Sequence, residues 1–164
     1  MGDGLRVDEH IGFQRAMWRV ERIGWALMAV VIAAALAGLL GPGPLSRSTA
    51  ASDDGRLTVD YLRFARTGGT SELSLEVDAA LVDDGRVDIV LGQSFLDGID
   101  LRRITPQPAA EVATADGVRF TFDAAEPGTV TVSFAFRPEA MGRVRTLVAV
   151  PDGPRVEVPQ LFYP

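Results

Sequence analysis

Between Ile23 and Leu40 the chain reads IGWALMAVVIAAALAGLL, eighteen residues without a charge, an amide or a proline. Wound as a helix at about 1.5 Å per residue, such a run approaches the roughly 30 Å hydrocarbon core of a bilayer. The expectation is a transmembrane helix over 23–41 that divides the chain. Residues 1–22 form a stub and juxtamembrane helix on one side. A linker over 42–55 and a domain over 56–164 lie on the other.

The flanks of the run carry the signals of an anchor. Arg15, Arg19 and Arg22 stand immediately before it, whereas only Arg47 and Arg56 follow at similar range. That excess of arginine places the N-terminus in the cytoplasm and the domain outside it. Trp18 and Trp25, seven residues apart, share a helix face at the level of an interfacial aromatic belt. Asp8 is the expected N-cap of a helix from about Glu9 to Leu40, and Gly41-Pro42-Gly43-Pro44 ends it. Ala29, Ala33, Ala37 and Gly41 recur every four residues, a small-residue stripe along which a second helix can approach. Two plainer readings compete. The stripe is ordinary alanine filler, or the run is a secretory signal cleaved after Ser48-Thr49-Ala50, although it is longer than such signals need.

Composition narrows the class. There is no cysteine, so neither a disulfide framework nor a thiolate metal site is available. Lysine and asparagine are also absent, the bias expected of a GC-rich bacterial genome, and no N-glycosylation acceptor exists. The formal net charge of −6 falls entirely on residues 23–164, because the charges of 1–22 cancel. An acidic domain argues against nucleic acid and against docking on anionic lipid.

From Leu57 onward the apolar period is two. Leu57/Val59/Tyr61, Leu73/Leu75/Val77, Val87/Ile89/Leu91, Ile99/Leu101, Val118/Phe120/Phe122, Val130/Val132/Phe134/Phe136, Val144–Val150 and Val156–Val158 make eight expected strands. Asp-Gly pairs at 54–55, 84–85, 97–98, 116–117 and 152–153 supply turn chemistry. Short helical turns are expected at Gln93–Leu96 and Pro138–Met141. The fold class is therefore an N-terminal transmembrane helix plus an all-β domain, a two-sheet antiparallel sandwich of immunoglobulin-like topology, with an open β-barrel as the alternative. The end of the chain, Leu161, Phe162 and Tyr163, either closes the sandwich as a last strand or stays exposed as a docking tail.

Catalytic chemistry finds little footing. The only histidine, His10, lies in the stub, so no Ser–His pair can form in the domain. Gly92-Gln93-Ser94-Phe95-Leu96 begins like a nucleophile elbow without its closing glycine. Asp53-Asp54, Asp83-Asp84 and Asp97/Asp100 are acidic clusters without the spacing of a calcium loop, and turns use the same residues. Arg63/Arg66, Arg102-Arg103 and Arg143/Arg145 read as solvated strand faces or edge-strand guards. No catalytic, cofactor-binding or metal-ligating residue is assigned.

Gly41-Pro42-Gly43-Pro44-Leu45-Ser46, followed by Gly55-Arg56-Leu57-Thr58-Val59-Asp60-Tyr61-Leu62-Arg63-Phe64, resembles uncharacterised bacterial single-span proteins with a small extracytoplasmic β-domain. The resemblance covers residues from about 20 to the end, and its motifs carry no chemistry. It implies company with polytopic membrane proteins of the YetF type. The functional expectation is a non-catalytic accessory or interaction subunit in the bacterial cytoplasmic membrane. Its partners are the lipid bilayer and another membrane protein, with homo-oligomers open. The alternatives are an envelope ligand-binding domain for lipid or glycan, a carboxylate- or metal-dependent envelope enzyme, and a cleaved secreted protein.

Overall fold

The structure is a computed structural model that describes residues 11–36, 43, 46–124 and 128–164. Its first element is helix α1, Ile11–Leu36. Every eighteen-residue stretch of α1 takes in Arg19, Glu21 and Arg22. Among the described residues, no helix is long and apolar enough to cross a membrane. The expected span needs Ala37–Leu40, which lie outside the described residues, as do Asp8 and Gly41. The Arg22 guanidinium sits 4.3 Å from the centre of the Trp18 ring, a cation–π contact between residues one helical turn apart.

Eleven strands follow: β1 Arg47–Ala51, β2 Leu57–Leu62, β3 Phe64–Arg66, β4 Ser71–Val77, β5 Arg86–Gly92, β6 Ile99–Thr105, β7 Ala110–Thr114, β8 Gly117–Asp123, β9 Val130–Pro138, β10 Gly142–Ala149 and β11 Arg155–Tyr163. One sheet has the order β1-β2-β4-β9-β6 and the other β3-β11-β10-β5-β8-β7. Both sheets keep open edges, so the domain is a two-layer sandwich and not a closed barrel. All pairs are antiparallel except β3 with β11, which runs parallel.

The eight expected strands are present, and three more join them. Strand β1 lies in the segment read as a linker and pairs along its whole length with β2, from Arg47↔Leu62 to Ala51↔Thr58. Its small residues carry no apolar alternation, so only the partner strand reveals it. Strands β3 and β7 escape for the same reason: one is three residues long and the other is almost wholly exposed. The one-turn helix α2 spans Gln93–Leu96 as expected. The second expected turn is absent: Pro138 ends β9, and the amides of Glu139 and Ala140 both donate to the Gly98 carbonyl.

Alternation builds the core. Leu73, Leu75 and Val77 of β4 and Val132, Phe134 and Phe136 of β9 point to one side, meeting Val87, Ile89, Leu91, Phe120 and Phe122 of the other sheet. Phe134 packs edge-on against Phe120 at 5.4 Å and Phe122 at 6.2 Å, the geometry that the ring quadrupole favours. Asp84 and Gly85 both take positive φ (47° and 72°) in the two-residue turn between Asp83 and Arg86. Gly117 has a different reason. At φ 153° its backbone passes so close to β5 that a Cβ would stand 1.9 Å from the Leu91 carbonyl oxygen.

The chain enters the domain at a corner where the sheets meet. The buried Ser46 donates its hydroxyl to the Phe64 carbonyl at 3.1 Å, and its own carbonyl accepts from the Arg63 amide at 2.6 Å. Arg63 is the step by which the chain leaves β2 in one sheet for β3 in the other. Behind it, buried Gln160 donates to the Leu62 carbonyl at 3.0 Å and accepts from the Thr146 hydroxyl at 3.1 Å.

Replacing Phe134 by alanine removes the ring that two others rest on, and large-to-small changes of this kind cost about 3–5 kcal/mol. Denaturant unfolding of the Phe134→Ala protein is expected to show that loss with an unchanged m-value. Replacing Gln160 by leucine leaves the Leu62 carbonyl and Thr146 hydroxyl unpaired in the core and is expected to cost about 1–3 kcal/mol in the same measurement.

Candidate functional site

A shallow concavity of about 760 Å³ lies on the outer face of the first sheet, where Arg47, Thr49, Asp60, Leu62, Glu72 and Ser74 line it. Register explains its character. Thr49, Asp60, Ser74, Ser133 and Thr105 are successive cross-strand partners, one from each of the five strands. They form a row of hydroxyls around one carboxylate, and the Thr49 hydroxyl donates to Asp60. The row can hydrogen-bond a polar surface. It holds no histidine, the usual base near neutral pH.

The acidic clusters do not converge. Asp83 and Asp84 form the turn before β5, Asp97 follows α2 and accepts from the Gln93 amide at 2.6 Å, and Asp100 pairs with Arg102 at 2.5 Å. Among the described residues, no group of three or more His, Cys, Asp or Glu could hold a metal ion. Ser94 does lie at a strand-to-helix junction, since α2 follows β5 directly. It lacks the strained backbone of a nucleophile elbow: among the described residues, the non-glycine positions of positive φ are Asp84 and Asp152.

Asp54 closes the turn between β1 and β2. It accepts from the Ser52 hydroxyl at 2.6 Å and from the Arg56 side chain at 2.6 Å, while the Ser52 hydroxyl in turn accepts from the Leu57 amide at 3.0 Å. The Ser52 hydroxyl, then the Arg56 guanidinium, hold the Asp54 carboxyl down at about 2 from an ordinary 3.8. This local knot shapes the turn.

The other candidates fall into two places. Arg15, Trp18, Arg19, Arg22, Trp25, Ala29 and Ala33 lie on α1, and Ala37 and Gly41 are outside the described residues. Leu161, Phe162 and Tyr163 are no free tail. They are the end of β11, paired with Phe64, Ala65 and Arg66 of β3, and Phe162 is buried against Phe136. The arginine pairs also separate. Arg102 and Arg103 lie on the edge strand β6, both exposed because the ladder shifts register between Leu101 and Arg103. Arg143 and Arg145 lie on β10, an interior strand, so they guard no edge. Register sets Arg143 opposite Leu161, Leu161 beside Phe64, and Tyr163 beside Arg66. Sequence reasoning missed this grouping, because residues nearly one hundred positions apart meet only through the parallel β3–β11 pair.

No protein-family model and no curated sequence matches the chain.

Because Asp54 is held below its unfolded value, its contribution to stability is fully present above the ordinary aspartate range and is lost as the pH falls through about 2. The melting-temperature gap between the native protein and Asp54→Asn is expected to be constant near neutral pH and to close progressively below about pH 4.

Proposed function

We propose that the chain is a single-span membrane protein whose β-domain, outside the cytoplasm, serves as a non-catalytic interaction subunit of a membrane complex. One observation carries the reading: the large apolar side chains of α1 from Met17 to Leu36 are bare. Ile23, Trp25, Leu27, Val30, Ile32 and Leu36 are all more than half exposed. A helix apolar all round belongs in a lipid or protein interior. Ala37–Leu40 extend the uncharged run to eighteen residues, and Arg15, Arg19, Arg22, Trp18 and Trp25 occupy its N-terminal boundary. On this reading the N-terminus is cytoplasmic and the Ala29/Ala33/Ala37/Gly41 stripe receives a helix of a polytopic partner.

The sandwich is read as immunoglobulin-like. In support, β2-β4-β9-β6 follows the spatial order A-B-E-D, and β11-β10-β5 follows G-F-C. Strands β8 and β7 extend the second sheet beyond β5, although they come after β6 in the chain. The scattered carboxylates and shallow concavities agree with binding through a surface.

The test is an alkaline carbonate wash of native membranes, followed by mild-detergent purification with crosslinking and mass spectrometry. The full-length chain is expected to stay with the membrane and to bring down a polytopic protein in fixed ratio. Ala29→Leu with Ala33→Leu is expected to weaken that recovery while the domain stays folded. Release into the wash, or a mature N-terminus at Ala51, overturns the anchor.

A further inference from the structure

We propose that the β-domain docks flat on anionic phospholipid headgroups through the outer face of β3, β11 and β10 beside the chain's entry point. The inference rests on the membrane-anchor reading. The surface is built by register: Arg143, Leu161 and Phe64 form one row across three strands, with Tyr163 and Arg66 paired in the next. Arg145, opposite Pro159, extends it. Arg66, Arg143 and Arg145 are exposed, and none takes part in the four ion pairs found among the described residues. Leu161 is 37% exposed, and Met141, just ahead of β10, is 69% exposed.

Cationic heads around apolar and aromatic side chains match a lipid interface, where phosphates meet guanidinium groups and rings sit at headgroup depth. The chain's path selects lipid as the occupant. Ser46, where the domain begins, bonds directly to Phe64 and Arg63, so the patch adjoins the point at which the chain arrives from the apolar run. At most five residues, 41–45, separate the end of that run at Leu40 from Ser46. With β1 folded into the sheet, the expected 42–55 linker no longer holds the domain away. Net charge misleads here. The domain is acidic overall, but fields at a surface are screened over about 8–10 Å, so the local arginines govern contact.

The native chain lacks cysteine, so Met141→Cys provides a single site for an environment-sensitive fluorophore, with Val112→Cys on the opposite edge of the same sheet as control. Full-length protein is reconstituted into vesicles of phosphatidylcholine alone or mixed with phosphatidylglycerol. The Met141 label is expected to shift to the blue and to be quenched by brominated lipid only in the anionic mixture, with the Val112 label unchanged. Each arginine at an anionic surface is worth roughly fivefold in partitioning, so Arg66→Gln, Arg143→Gln and Arg145→Gln together should lower the docked fraction's ratio about 100-fold. High salt should do the same in the native protein. Carbonate-resistant flotation with a Met141 label that reads alike in both mixtures overturns the docking alone. A label buried in native membranes but not in anionic vesicles also overturns it, in favour of a protein partner. Failure to float with either vesicle overturns the anchor and the docking together.

Discussion

Strand β9 supplies the rings on which the second sheet rests: Phe134 meets Phe120 and Phe122, while Phe136 meets Phe95 and Phe162. Both phenylalanines face inward because they are two positions apart, and a slip of one residue would turn both to solvent. The registers of β4 and β6 against β9 follow from the same constraint. Without a disulfide, these contacts and the burial around them hold the layers together.

The same register determines what the outer faces can offer. On the first sheet it gathers Thr49, Asp60, Ser74, Ser133 and Thr105 into a polar row. On the second it places Arg143 and Arg66 around Leu161, Phe64 and Tyr163. Neither face holds a histidine. Surface recognition in a membrane setting is the role we propose for the domain.

The corner at Ser46 ties these parts together. The chain enters there, crosses from one sheet to the other at Arg63, and returns at its end when β11 lies against β3. Gln160 reaches across the same corner to the Leu62 carbonyl.

Period-two alternation and Asp-Gly turns made the long strands and the sandwich legible in the chain itself, because burial of one face is a local pattern written every second residue. The absence of cysteine, and of histidine beyond position 10, likewise narrowed the chemistry without any coordinates. Strands β1, β3 and β7 left no such pattern: their backbone hydrogen bonds come from partners, and their side chains are small, few or exposed. Only the tertiary structure turned the expected linker into strand and the candidate docking tail into the end of an interior strand. It also made one surface of arginines distant in sequence, since a parallel pairing between residues 64–66 and 161–163 depends on the whole intervening chain folding back.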